Sequence, residues 1–330
     1  MSFFKIILLL LYFKIGFSSL VFAADTNKNF QDWLISYKKN AVNKGISQQT
    51  VDIVFKNVKF LDNVIKYDRK QPEFIEDTQT YVNKRASTQR ALKAKNLLKK
   101  NYKLFNEVEK QFGVEKEILL ALWGIETNFG KHVGKMDIVS CLATLSFDKR
   151  RSEFFSNQLF ILLQLIDQNK ISLNNLQGSW AGAFGNFQFM PSTINRYAID
   201  YDKNNKVELK KSLPDALASA ANYINKIGWK TGQPCFYKVK ITKNINDKYI
   251  NKSARKISNK LSILKWKKKG VIITENNRLQ NNHKAALILP DGKPGTPAFL
   301  VFDNYEKILK WNRSLRFGIS VCTLSNRIKT

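Results

Sequence analysis

The chain has 330 residues, 44% of them hydrophobic and 12% aromatic, so it can bury a core and is not of the disordered class. Its 55 Lys and Arg against 26 Asp and Glu give a formal net charge of +29, which favours an anionic partner such as nucleic acid, a membrane surface or an acidic polymer, with a proteome-wide Lys and Asn bias on solvated helix faces as the competing reading. Cys141, Cys235 and Cys322 are widely spaced, no CxxC occurs and only two histidines are present. That argues against a zinc site or a Cys–His nucleophile, and leaves open one disulfide with a spare thiol or three buried thiols.

Residues 1–23 read as a secretory signal: a charged start at Lys5, an apolar run through Leu8-Leu9-Leu10-Leu11, and an exit with Val21 at −3 and Ala23 at −1. Lys14 interrupts the run and leaves it short for a full membrane span. No Cys lies at the exit, so the expectation is a periplasmic protein, not a lipoprotein, with no stable membrane span after cleavage. Loss of Lys5 and Lys14 leaves a charge of +27. Export lowers the weight of a nucleic-acid partner.

Phe30, Trp33, Leu34 and Tyr37 recur at i, i+3, i+4, i+7, one face of a helix, and Ser47 can cap a second helix carrying Val51, Val54, Phe55 and Val58. Residues 61–86 are mixed, with Pro72 opening a segment that ends near Arg85. One long helix is predicted over 88–111, stopped by Gly113. The apolar run Leu119-Leu120-Ala121-Leu122-Trp123-Gly124-Ile125 forms the next and ends in Glu126. Residues 152–168 make another helix, and Pro191 suits the first turn of a helix after a loop of small and aromatic residues. Ser212 caps a helix over 213–227, stopped by Gly228. After Gly232 the period drops to two: Tyr237, Val239 and Ile241 alternate with Lys238, Lys240 and Thr242, and further strands are predicted at 270–274, 285–289 and 297–302. Residues 304–328 return to helix, in two pieces meeting near Ser314.

Glu126 is the most informative residue. Burying an unpaired ionised carboxylate costs several kcal/mol or more. An acid at the end of an apolar helix is therefore expected to hold its proton, with a raised pKa, as a general acid must. The loop Gly178-Ser179-Trp180-Ala181-Gly182-Ala183-Phe184-Gly185-Asn186-Phe187-Gln188-Phe189-Met190-Pro191-Ser192 spaces glycines with aromatics, which permits close backbone approach to a ligand. It lacks the phosphate-loop and dinucleotide patterns. Two readings stand: a core turn, or the wall of a sugar-binding cleft with Ser179 and Gln188 as polar handles.

Gly124-Ile125-Glu126-Thr127-Asn128-Phe129-Gly130, then Leu142-Ala143-Thr144-Leu145-Ser146-Phe147, then Arg150-Arg151 and the 178–192 loop resemble, in order and spacing, the lytic murein transglycosylase B family. The resemblance runs from about residue 30 to the C-terminus and is weakest in the β segment. It implies a mainly α (α+β) fold: an N-terminal helical region (24–112), a lysozyme-like catalytic core (113–231), a small basic β insertion (232–302) and C-terminal helices (303–330). It further implies cleavage of the β-1,4 bond between N-acetylmuramic acid and N-acetylglucosamine in peptidoglycan. The muramyl 6-hydroxyl attacks its own anomeric carbon to leave a 1,6-anhydro end, no cofactor is required, and Glu126 acts as acid and then base. A two-carboxylate hydrolase would need a second acid about 5–9 Å away. Asp137 and Asp148, the nearest downstream, read as structural or surface acids.

By the same resemblance, Ser179 and Gln188 match contacts to the acetamido and sugar groups, and Met190 an apolar cleft contact. Tyr223 and Tyr81 match cleft tyrosines. Arg150 and Arg151 match a basic pair near the glycan or its peptide, with a surface charge run as the competing reading. Trp311-Asn312 matches a Tyr-Asn pair, and Phe317 stands where a tyrosine is usual. Both hydroxyls are missing, and the stacking faces are expected to survive.

Some family members carry a calcium loop. Asp200, Asp202, Asn204, the Lys206 carbonyl and Asp215 offer hard oxygens suited to a structural Ca²⁺, although Asn205 replaces the turn glycine. An Asp/Asn surface loop is the competing reading. Expected partners are peptidoglycan strands and other cell-wall enzymes, with a monomeric protein. Two other functions compete: a non-catalytic peptidoglycan-binding or scaffolding protein, favoured by the missing hydroxyls, and a nucleic-acid binder, which rests on charge alone and lacks a motif.

Overall fold

Apolar residues at helical spacing become helices through most of the chain. The computed structural model describes residues 28–70, 76–174, 176–275 and 280–329. The predicted signal at 1–23 and Pro72 lie outside them. In chain order the elements are α1 (28–43), α2 (Gln48–Phe55), α3 (Asp62–Arg69), α4 (Thr78–Arg85), α5 (Thr88–Lys100), α6 (Tyr102–Phe112), α7 (Lys116–Thr127), β1 (Met136–Asp137), α8 (Ile138–Phe147), α9 (Ser152–Asp167), β2 (Gln177–Gly178), α10 (Pro191–Tyr197) and α11 (Leu213–Lys226). There follow β3 (Phe236–Ile241), β4 (Ile250–Asn251), β5 (Leu261–Ser262), α12 (Ile263–Lys268), β6 (Val271–Ile273), β7 (Lys284–Ile288), β8 (Ala298–Val301), α13 (Asp303–Trp311) and α14 (Leu315–Lys329).

The predicted single helix over 88–111 is two. Asn101 closes α5, its amide nitrogen donating to the Leu97 carbonyl at 3.0 Å and its backbone at φ −119°. A short amide side chain competes for the helix's own carbonyls in this way. The predicted caps at Ser47 and Ser212 are present, each hydroxyl accepting a backbone N–H from the first turn.

The described residues fall into two compact units. The first comprises those up to 69, with 135–183 and 190–192. Its centre is α8, buried from Ile138 to Ser146. Phe30, Phe60 and Phe147 meet edge or tilted at 5.4–5.8 Å. The Ser140 and Thr144 hydroxyls accept the Lys59 and Leu61 backbone N–H groups at 3.1 and 3.0 Å, tying the connection before α3 to α8. Cys141 is a free, buried thiol, pushed up to about 12 by burial.

The second unit comprises 70–134, 184–189 and 193 onward. Its α7 is buried from Ile118 to Gly124 and packs against α5, α6, α11 and α14. Its sheet runs β4-β7-β8-β3-β6, with β5 also paired to β7; β4 and β7 are parallel and the other pairs antiparallel. Trp266 is buried beneath this sheet and donates to the Ala285 carbonyl at 2.7 Å. Cys235 and Cys322 form a disulfide, Cα atoms 6.1 Å apart, joining the approach to β3 with α14. Of the two cysteine readings, the disulfide with a spare thiol is the one found.

Candidate active site

Glu126 lies in the last turn of α7, partly buried, one residue before the helix ends. Asn128 and Phe129 both take left-handed backbone, at φ 50° and 61°, and turn the chain sharply away. Gly124 leaves room for that turn: a Cβ there would lie 2.7 Å from the Phe129 ring. Thr127 donates through Oγ1 to the Asn186 carbonyl at 2.8 Å and accepts the Gly130 N–H at 2.9 Å. The indole of Trp123 donates to Asn186 Oδ1 at 2.9 Å. Asn186 in turn donates through Nδ2 to the Leu209 carbonyl at 3.0 Å. Sequence reasoning missed Asn186. Its signal was a short amide among buried aromatics, which must find several hydrogen bonds or carry a large desolvation cost.

Trp311, at the end of α13, donates from Nε1 to Glu126 Oε1 at 2.9 Å. Its ring stacks on Tyr223 at 5.1 Å and 24° between planes, and Tyr223 stacks in turn on Tyr197 at 4.6 Å and 23°. Phe187 and Phe189 meet Trp311 edge-on at 6.2 and 5.3 Å. The Tyr223 hydroxyl donates to the Lys310 carbonyl at 3.0 Å. Burial, with Tyr197 beside it, pushes that hydroxyl up to about 12, so it stays a donor. The Trp311 side chain therefore brings a polar group to the acid where a missing hydroxyl was expected. The expected free stacking faces are not all kept: both faces of Tyr223 and one of Trp311 are covered by other rings.

Gln188 takes left-handed backbone at φ 50° and donates through Nε2 to the carbonyls of Gly185 and Val133 at 3.0 and 3.2 Å. Asn312 closes α13. Tyr81 is buried with the Arg85 guanidinium 3.5 Å from its ring centre. Phe317 is only 3% exposed, a core side chain of α14 with no open face, contrary to expectation. The structure thus gathers Glu126, Trp311 and Tyr223 in one cluster, flanked by the aromatic neighbours of Gln188.

Ser179, Met190, Arg150 and Arg151 belong to the other unit. The Ser179 N–H donates to the Ala183 carbonyl at 2.8 Å, and its hydroxyl accepts the Ala183 N–H at 3.1 Å. Gly182, at φ 82°, has no space for a Cβ, which would run into the Leu142 side chain. Met190 is half-buried just before α10. Arg150 and Arg151 both bind Asp68, a carboxylate 1% exposed; Arg150 does so at 3.0 Å and also donates to the Asp68 carbonyl at 2.7 Å. Arg69 bridges Asp68 and Asp148. The basic pair is an ion-pair network rather than a free charge run.

In the second unit, Asp200, Asp202 and Asp215 each bring a carboxylate oxygen within 4.8 Å of the others. Asp215 is buried and accepts the backbone N–H groups of Tyr201 and Glu208 at 2.8 and 3.0 Å. Asp200 accepts those of Asn204 and Asn205 at 3.1 and 2.8 Å, and Asn204 Oδ1 that of Lys206 at 2.9 Å. Lys203 and Asn205 take left-handed backbone at φ 60° and 66°. Asn205 thus adopts the conformation its turn demands without being glycine. A loop wrapped around converging hard oxygens fits a cation of the calcium type.

A family model described as a transglycosylase SLT domain matches residues 29–326. The membrane-bound lytic murein transglycosylase B of Escherichia coli is 31% identical over 224 residues, which are 68% of this chain and 59% of that relative's length. SltB3 from Pseudomonas aeruginosa, solved in complex with NAG-NAM-pentapeptide, superposes with a TM-score of 0.82 at 32% identity, covering 91% of this chain and 79% of that one. The Escherichia coli lytic transglycosylase Slt35, solved in complex with calcium, superposes with a TM-score of 0.76 at 27% identity, covering 92% and 93%. The fold is accordingly mainly α with a small β part, of the kind found in these lysozyme-like lytic transglycosylases.

Proposed function

The chain belongs to the transglycosylase SLT domain family, and on that premise we propose that it is a lytic transglycosylase. It cleaves the β-1,4 bond between N-acetylmuramic acid and N-acetylglucosamine in peptidoglycan and leaves 1,6-anhydromuramic ends. The observation that carries this reading is Glu126 at the end of an apolar helix, with an indole N–H at 2.9 Å from Oε1. Protonated Glu126 gives its proton to the glycosidic oxygen as the bond to the anomeric carbon breaks. The carboxylate then takes the proton of the muramyl 6-hydroxyl as that oxygen bonds to the same carbon. Glu126 ends protonated, as it began, and no water is consumed. An indole donates but cannot accept, so Trp311 holds the acid in both states without competing for its proton.

Gln188 is assigned to the sugar beside Glu126, with Tyr81, Tyr223 and Asn312 behind it; Ser179 and Met190 are assigned to the glycan by the family resemblance. Arg150 and Arg151 are assigned to the glycan or peptide from within their Asp68 network. Asp200, Asp202, Asn204, the Lys206 carbonyl and Asp215 hold a structural calcium ion. The protein acts on the wall from the periplasm. Among the described residues no helix is long and apolar enough to cross a membrane.

Digestion of purified sacculi followed by mass spectrometry tests the proposal. Wild type releases anhydro-muropeptides; Glu126→Gln, which keeps shape but cannot cycle a proton, loses at least the 10²–10⁴-fold typical of general acid–base catalysis while still binding sacculi. Reducing-end products from wild type would make the enzyme a hydrolase and overturn the mechanism.

A further inference from the structure

The buried run of α7 extends from Ile118 to Gly124, with Thr127 buried beyond it. Helix ends fray unless something outside the helix holds them, and Glu126 stands in that last turn. One side chain ties the turn down. Asn186 is 6% exposed, and all four of its polar atoms are bonded. Its Oδ1 accepts the Trp123 indole N–H and its carbonyl accepts the Thr127 hydroxyl. Its backbone N–H donates to the Leu209 carbonyl at 2.8 Å, and Nδ2 donates to the Leu209 and Lys210 carbonyls at 3.0 and 3.2 Å. Those carbonyls belong to a fixed segment: the Glu208 carbonyl accepts the N–H groups of Lys211 and Ser212 at 3.1 and 2.8 Å, and Ser212 caps α11. The chain after the acid also comes close, because a Cβ on Gly130 would lie 2.7 Å from Asn186 Oδ1.

Trp123 and Thr127 are four residues apart and so share one face of α7. Glu126 stands in the turn they bracket. A buried amide gives up the apolar burial that a leucine of similar size would provide, and it is costly unless its polar atoms are bonded. In a fully bonded network it specifies one arrangement of the groups around it. A general acid must be held within about 0.5 Å of its productive place, and a misplacement of about 1 Å costs about a hundredfold in rate. We propose that Asn186 is a positioning residue of the cleavage reaction: it fastens the last turn of α7 to the 208–212 segment and thereby sets where the Glu126 carboxylate stands. This rests on the reading of Glu126 as the acid and base.

Initial rates of anhydro-muropeptide release from sacculi test this, measured on the full chain at a temperature where circular dichroism shows each variant folded. Asn186→Leu, which removes the side-chain bonds, lowers kcat by about a hundredfold and leaves KM within about twofold of wild type. Trp123→Phe and Thr127→Val each remove one bond to Asn186 and lower kcat about three- to tenfold. Thr127→Ser restores the rate, and Trp123→Phe adds nothing in the Asn186→Leu background. Trp266→Phe is the matched control: it removes a buried indole bond to the Ala285 carbonyl beneath the sheet, lowers the thermal midpoint and leaves kcat at wild type. Trp123→Phe and Thr127→Val decide the matter should Asn186→Leu not fold. Wild-type kcat in Asn186→Leu, or in both of those single variants, overturns the proposal. Equal loss of kcat in Trp123→Phe and Trp266→Phe would reduce the effect to stability and overturn it too, as would a raised KM at unchanged kcat, which marks a sugar contact. Any of these results beside an inactive Glu126→Gln sinks the positioning role alone; a fully active Glu126→Gln sinks the reading of the acid instead.

Discussion

Trp311→Phe isolates the indole contact to the candidate acid. Phenylalanine keeps a ring to stack on Tyr223 and to meet Phe187 and Phe189, and removes the N–H that reaches Glu126 Oε1 at 2.9 Å. Hydrogen bonds to charged groups contribute about 1.5–3 kcal/mol, or roughly 10–150-fold in rate at 1.36 kcal/mol per decade. The indole acts through Glu126 rather than on the sugar, so the loss belongs in kcat, with KM little changed. Initial rates of anhydro-muropeptide release over a range of sacculus concentrations give both constants, and a pull-down on sacculi gives binding separately. Trp311→Tyr, which restores a hydroxyl donor, should recover part of the rate; a merely structural role would track the thermal midpoint instead. A raised KM at unchanged kcat would make Trp311 a sugar contact and refute its positioning role.

Three further outcomes follow from the described contacts. The Cys235–Cys322 bridge closes a separation of 87 residues. Replacing both with Ser should lower stability by about 2–4 kcal/mol, read as a lower urea midpoint, and dithiothreitol should then have no further effect on the variant. Hydrogen bonds from Lys230 and Lys260 hold the Asp303 carboxylate down to about 2. The stability it contributes is present above its unfolded value near 4 and is lost as pH falls from about 4 to 2. The effect is small because the group is largely solvated, and Asp303→Asn should flatten that part of the thermal-midpoint profile; an unchanged profile counts against the pairing. Calcium at tenfold its Kd should stabilise the protein by about 1.4 kcal/mol, and Asp215→Asn should abolish the gain; no shift of the wild-type midpoint at millimolar calcium would remove the ion from the loop.

Local signals carried most of the fold. The caps at Ser47 and Ser212, the stop at Gly113 and the period-two pattern after Gly232 each depend on a few neighbouring residues, and each appears in the structure. Asn101 was overlooked because its break depends on a side chain bonding back one turn rather than on Gly or Pro. The candidate site was legible at Glu126 and in the glycine-aromatic loop, where residue types are unusual for their position. It was not legible at Asn186 or Phe317, whose roles depend on long-range packing. Trp311 was the clearest case: 185 positions separate it from Glu126, and no pattern in the chain signals that its indole nitrogen points at the acid.

The site also shows how a residue other than tyrosine at 311 supplies Glu126 with a donor. An acid in the last turn of a helix is positioned only as well as the chain that follows it. Here that chain reverses at once through Asn128 and Phe129, and Phe129 returns over Gly124, where no Cβ fits. Trp123 and Thr127, on either side of Glu126, are both bonded to Asn186 in the aromatic loop. The backbone at 126 is thus fixed from two directions, and only the carboxylate's own torsions remain to be set. The donor placed by the Tyr197–Tyr223–Trp311 stack acts on those torsions. The demand on residue 311 is an aromatic ring for the stack and an N–H or O–H at its far edge. Tryptophan meets both conditions, so the absence of a tyrosine hydroxyl at 311 still leaves Glu126 with a donor.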